Sequence, residues 1–260
     1  MAALEKVDET LLRGVVGGHS KLPLTTLYLE CGAVPLRFII MSRRIMYLQA
    51  ILKREDTELV KKIYAAQKTN KTKGDFADLV QQDLHKLGIK YKEDEIKTMT
   101  KHNLKTKVKE SAKKAALKYL TSNKTSKTKK LVYESLKMEQ YLKSQMFTEA
   151  ESSLLLALRT RTVRGIRTDF PGMYTSRECP MVGCGEEDTL PHLLTCTVLR
   201  EHSKEERSRV CTVEVEHLYT GTLEQQLEAT KMFGLLLTTR AKLEEEGTPA
   251  AQLAGSHAPV

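Results

Sequence analysis

Phe38–Leu52 reads FIIMSRRIMYLQAIL, and its apolar residues Phe38, Met41, Ile45, Leu48 and Leu52 recur at intervals of three and four. That spacing gathers them on one stripe of a 3.6-residue helix and leaves Arg43, Arg44, Lys53 and Arg54 for the other face. The period resumes at Leu59 and Ile63, so the stretch to Tyr64 predicts two helices, with Asp56 placed to cap the second. Pro23 and Pro35 cut the preceding segment into short pieces.

Working outward, Phe76, Leu79, Val80, Leu84 and Leu87 keep helical spacing between an N-capping Asp75 and Gly88, which suits a helix end. From Ile96 to Leu120 one amphipathic helix is expected, with Leu104, Val108, Ala112, Ala115 and Tyr119 on its apolar stripe and Lys97, Lys101, Lys105 and Lys109 along a flank. Thr121–Lys130 (TSNKTSKTKK) has no apolar residue and reads as a flexible linker before a further helix at about Leu131–Phe147. Thr222 and Gln225 have capping-box spacing ahead of Leu223, Leu227, Phe233, Leu236 and Leu243, and Gly247 can end that helix. Residues 247–260 read as a disordered tail. Only Val213–Val215 hints at a strand, so the sum is an all-α chain.

Composition narrows the function. The 260 residues carry a formal charge of +9, which favours an anionic partner. The excess is local: Lys97–Lys130 holds 12 lysines and one acid, Glu110, whereas the remainder is nearly balanced. No apolar run is long enough to span a bilayer, since Leu27–Leu48 contains Glu30, Arg37, Arg43 and Arg44. The first ten residues lack the apolar core of a signal peptide. The chain is therefore expected to make no membrane contact, to stay inside the cell and, if its anionic partner is nucleic acid, to reach the nucleus. In a reducing compartment its five cysteines read as thiols or metal ligands rather than disulfides.

Three of those cysteines lie in CPMVGCGEEDTLPHLLTC, where Cys179, Cys184, His192 and Cys196 follow a C-x4-C-x7-H-x3-C pattern. Pro180, Gly183 and Gly185 allow a tight turn around the first two thiols. Asp188 or Thr189 can cap a helix with Pro191 in its first turn, and His192 and Cys196, four apart, then share one face. Four such ligands suit one structural zinc ion, and a filled set leaves no open position for catalysis. Cys31 and Cys211 read as buried thiols, and His85, His102, His202 and His217 are isolated. No triad, phosphate-binding loop or metal-binding Asp pair is present, so no enzymatic activity is expected.

The lysine run repels itself unless phosphates neutralise it, which singles out Lys97, Lys101, Lys105, Lys109, Lys113 and Lys114 as nucleic-acid contacts. Arg159, Arg161, Arg164 and Arg167, in RTRTVRGIRTDF just before the cysteine cluster, join them because guanidinium groups bind phosphate in bidentate fashion. Phe170 and Tyr174 are the nearest aromatic platforms, so backbone contact is better supported than base recognition.

The order LLLALRTRTVRGIRT, a spacer, then CPMVGCGEEDTLPHLLTC resembles the C-terminal region of reverse transcriptases from non-LTR (LINE-like) retrotransposons. The upstream stretch LLRGVVGGHSKLPLTTLYLECGAVPLRFIIMSRRIMYLQAIL is similar to the part of that family just after the palm, and the resemblance covers most of residues 4–240. It implies a thumb-like helical region over 1–66, a basic helical connector over 67–148 with its linker at 121–130, and over 149–246 an arginine-rich segment, a CCHC zinc knuckle and C-terminal helices. It implies RNA or DNA as partner, together with the polymerase part of a retroelement protein. The family's catalytic Asp-Asp motif does not occur in this chain, and its first cysteine pair is more closely spaced than C-x4-C. The expectation is a non-catalytic nucleic-acid-binding fragment. The alternative is a zinc-stapled all-α module that binds another protein.

Overall fold

The computed structural model describes residues 2–17, 21–125, 128–129, 131–170, 172–202 and 213–247. Among them the fold is all-α: helices are joined by turns and short 3-10 segments, and the only β pairing is an isolated bridge between Glu178 and Glu187. Among the described residues no helix is long and apolar enough to cross a membrane. The chain divides into two compact units, one built from Met1–Val15, Pro23–Thr125 and Val132–Glu139, the other from Val16–Leu22, Ser126–Leu131 and Gln140–Val260.

The first unit contains α1 (Ala2–Val16), α2 (Leu24–Glu30), α3 (Leu36–Leu52), α4 (Leu59–Asn70), α5 (Phe76–Lys86), α6 (Glu93–Thr98) and α7 (Lys101–Ser122). α3 is its hub and packs on α4, α5, α6 and α7. Phe38, Ile45, Leu48 and Leu52 of the opening stripe are buried, as are Leu104, Val108, Ala112, Ala116 and Leu120 of α7. Each large aliphatic side chain so buried contributes about 1.5–3 kcal/mol. Two buried polar groups fix the arrangement. Asp83 of α5 accepts both Nε and Nη2 of Arg44, at 2.6 and 3.0 Å. Gln49 of α3 donates to the carbonyls of Ile96 and Met99, each at 2.9 Å, so it satisfies the C-terminal end of α6.

Several local expectations change. Ile96–Leu120 is two helices, because Thr100 caps α7 by accepting the Asn103 N–H and Met99 leaves helical geometry. Lys97 therefore belongs to α6, and the buried stripe of α7 passes through Ala116 and Leu120 while Tyr119 stays exposed. Asp56 does not cap α4; Glu58 precedes that helix, and Asp56 instead meets Lys61 at 2.7 Å. The predicted helix at 131–147 is absent. Residues 131–139 are irregular, tied down by Glu139 N–H to the Glu30 carbonyl and Tyr133 Oη to the buried Glu30 carboxylate, and Gln140–Leu142 forms a single 3-10 segment followed by turns. Gly32 explains the close approach: at φ +61°, a Cβ there would lie 2.2 Å from the Met138 nitrogen. The linker at 121–130 begins in helix as far as Ser122, and Thr128 is buried. Val213–Val215 forms no strand. Cys211 and the tail from Thr248 lie outside the described residues.

In the second unit, α8 (Glu149–Thr160) is opened by a Thr148–Glu151 capping box. It is followed by α9 (Leu190–Thr195), α10 (Thr197–His202), α11 (His217–Thr220) and α12 (Leu223–Gly247). The predicted Thr222–Gln225 box is formed, with reciprocal bonds of 2.8 and 3.3 Å. α12 is the scaffold here: α8, α9, α10 and α11 all pack on it, against a buried strip of Ala229, Met232, Phe233 and Leu236.

Candidate metal centre and basic surfaces

Cys179 and Cys184 sit at the two ends of a tight loop. The Cys179 N–H donates to the Glu186 carbonyl at 2.7 Å and the Asp188 N–H to the Arg177 carbonyl at 2.8 Å, pairing the loop's arms around the Glu178–Glu187 bridge. Gly183 and Gly185 adopt φ +82° and +69°, the left-handed geometry that glycine enters without strain. The chain then enters α9, where the Thr189 hydroxyl accepts the His192 N–H at 3.2 Å and Pro191 occupies the first turn. α9 carries His192 and delivers Cys196 at its C-terminal boundary.

These local choices bring the four predicted ligands together. One ligand atom from each of Cys179, Cys184, His192 and Cys196 lies within 4.8 Å of all the others, close enough to hold a metal ion. Cys196 Sγ is 3.9 Å from both Cys179 Sγ and Cys184 Sγ, and Cys184 Sγ is 3.3 Å from His192 Nε2. A tetrahedral ion with metal–sulfur bonds near 2.3 Å spaces its sulfurs by about 3.8 Å. Burial pushes the Cys179 thiol up to about 12, reinforced by the neighbouring cysteines, and raises Cys196 by the same desolvation. In Cys179 and Cys196 burial thus favours the protonated thiol, and metal binding must release those protons.

Asp188, one residue before the α9 cap, anchors the loop. It is fully buried, and its two carboxylate oxygens accept Nη1 and Nη2 of Arg240 at 2.7 and 2.8 Å. It also accepts the Arg167 N–H at 2.6 Å, and its carbonyl takes the Thr168 hydroxyl at 2.6 Å. Arg240, itself only 3% exposed, was not marked out by the sequence reading. A signal existed: Arg240 lies four and seven residues beyond Leu236 and Phe233, on the buried side of α12.

The basic residues divide into two kinds. Lys101, Lys105, Lys109, Lys113 and Lys114 are exposed on α7, and Lys97 is exposed on α6. α7 also presents Lys107 and Lys118, which the sequence reading left out; Lys107 Nζ stands 4.9 Å from the Tyr91 ring centroid. Among the described residues none of the seven α7 lysines forms a salt bridge. The arginines differ. Arg159 is 3% exposed, donates to the Leu218 carbonyl at 2.9 Å and lies over the Tyr141 ring. Arg161, left-handed at φ +56°, grips the buried carboxylate of Asp169 at 2.9 Å. Arg164 is exposed, and its carbonyl accepts the Tyr174 hydroxyl. Arg167 is half-buried beside the Tyr174 ring.

The chain matches no protein-family model, no curated protein and no solved structure.

Proposed function

We propose that this chain is a non-catalytic RNA- or DNA-binding protein stapled by one structural zinc ion, of the kind found in the C-terminal region of non-LTR retrotransposon reverse transcriptases. The observation that carries the reading is the convergence of Cys179, Cys184, His192 and Cys196 at tetrahedral spacing. Three sulfurs and one imidazole are the donor set of structural zinc, and four protein ligands complete its shell. The ion's role is to fold its segment: zinc of this type supplies about 10–16 kcal/mol of apparent binding energy at neutral pH.

Support for a polyanionic partner comes from α7, whose seven exposed lysines face a single acid, Glu110, on the same helix. Such a face binds phosphate by releasing counterions, without reading sequence. Arg164 and Arg167 add guanidinium donors in the other unit. Arg159 and Arg161 hold their own fold together and are left out of the contact set.

Two measurements test the reading. Elemental analysis should find one zinc per chain, lost in Cys196→Ala. Anisotropy titration of a labelled duplex should give a log–log salt slope of about −5 if six lysines meet phosphates. Zinc without salt-dependent binding would overturn the nucleic-acid assignment and favour a protein-binding module.

A further inference from the structure

α1 turns its charges inward and most of its aliphatic surface outward. Beside a half-buried Leu12, Glu5 accepts Arg37 Nε at 2.7 Å, Asp8 accepts the Tyr28 hydroxyl at 2.5 Å, and Glu9 is held by Arg13 of the same helix at 2.7 Å. Leu4, Val7, Leu11 and Val15 are instead 54–74% exposed. Their spacing of three, four and four aligns them on one stripe. The exposed residues between them are Ala3, Lys6, Thr10 and Gly14, so Lys6 is the one charge on this face.

Two details suit the stripe to another helix. Thr10 gives its hydroxyl to the Lys6 carbonyl at 2.9 Å, so it can be covered without leaving a polar group unmet. Gly14 has open space where a Cβ would stand, and glycine within a helix is destabilising relative to alanine. The fold of this chain does not call for that missing side chain, whereas a helix crossing the stripe gains a notch for a large residue. The four aliphatic side chains expose roughly 400 Å², the size of patch that marks an interaction site on a monomer. Two such stripes, with Ala3, Thr10 and Gly14 included, bury about 1,000 Å², the lower bound for a specific interface.

The stripe is its own complement. With two α1 helices antiparallel about a two-fold axis near Glu9, Leu4 of one copy meets Gly14 and Val15 of the other, and Val7 meets Leu11. Every layer then sets a larger side chain against a smaller one. A parallel pair would stack Leu4 on Leu4 and bring the two Lys6 ammonium groups together. The antiparallel pair separates them, opposes the helix dipoles and aims each Lys6 toward the C-terminal half of the other helix. We propose that α1 is a self-association face, through which two copies of this chain form a symmetric antiparallel dimer.

Sedimentation equilibrium of the full chain tests it. The mass should rise from 29.4 kDa toward twice that value as concentration increases, with a dissociation constant on the order of 10 µM. Leu11→Asp, at an exposed site and with helicity checked by circular dichroism, should weaken association by about tenfold or more. Leu4→Lys and Val15→Glu should each weaken it alone. Mixed in equal amounts, these two variants should associate more tightly than either does by itself, since antiparallel pairing sets the substituted positions side by side. A wild type that stays monomeric to about 100 µM would overturn the proposal and leave the stripe to a different protein or a lipid surface. A dimer indifferent to Leu11→Asp would place the contact elsewhere on the chain, and no gain on mixing would reject the antiparallel order; either result also overturns it.

Discussion

α7 and the segment Arg159–Arg167 are both strongly basic, yet they use charge in opposite ways. On α7 the lysines stand outside a buried stripe of Leu104, Val108, Ala112, Ala116 and Leu120, and none has an acidic partner among the described residues. In the arginine segment, Arg159 is sealed under the Leu218 carbonyl and Arg161 is clamped to Asp169. A lysine's ammonium is strongly hydrated and sheds water reluctantly, whereas the weakly hydrated planar guanidinium can be buried against carbonyls, carboxylates and rings. Charge density in a sequence therefore marks a polyanion surface only after the internal arginines have been subtracted. Arg240, buried against Asp188, belongs with the internal set.

The largest test of this contrast is removal of the metal. The second unit combines its arginine anchors with the cysteine cluster, so if that cluster holds the proposed zinc, a chelator should cost it most of the roughly 10–16 kcal/mol that such an ion supplies. Hydrogen exchange should then show residues 177–202 losing protection while the α7 core keeps its own; equal loss in both would break the distinction. The pH direction follows from the buried thiols. Cys179 and Cys196 are raised by desolvation, so binding must expel their protons, and affinity falls as pH falls. Less chelator should strip the ion at pH 6 than at pH 8, read by a zinc-sensitive dye. In the metal-free chain the sign reverses: raised thiol pKa values favour the folded form below the ordinary thiol range, and that stability is lost as pH climbs toward about 12.

Next in size are the internal arginines. Arg240→Leu strands the Asp188 carboxylate in the interior and should cost about 3–5 kcal/mol in a denaturant titration. Arg159→Ala should cost about 2 kcal/mol by leaving buried carbonyls without a donor. A change below half a kcal/mol in either would place these arginines with the lysines. The smallest stability effect belongs to α7. Lys105→Gln, Lys109→Gln and Lys113→Gln together should alter stability by less than about 0.5 kcal/mol per site. The same triple variant should make the duplex salt slope shallower by roughly 3; an unchanged slope would show that this face is only a solvated surface.

Residues close in sequence made part of this molecule legible. The α3 stripe, the Asp75 and Thr189 caps, the Thr222–Gln225 box and the positive-φ glycines at 183 and 185 each depend on groups a few positions apart. For the same reason the four residues that converge could be named, since the C-x4-C turn and the His192–Cys196 spacing are local geometry. The error over Ile96–Leu120 arose because one period ran through two helices, and the break rests on Thr100 and on Gln49, a residue some fifty positions away.

The sequence by itself determined an all-α chain, the place of its lysine excess and the quartet of Cys179, Cys184, His192 and Cys196, because helical period and ligand spacing are short-range properties. Tertiary structure alone decided which charges are spent inside. Arg44 meets Asp83 and Arg240 meets Asp188 across separations of 39 and 52 residues. A buried charge is tolerable only with its partner in contact, and chain proximity carries no record of that pairing.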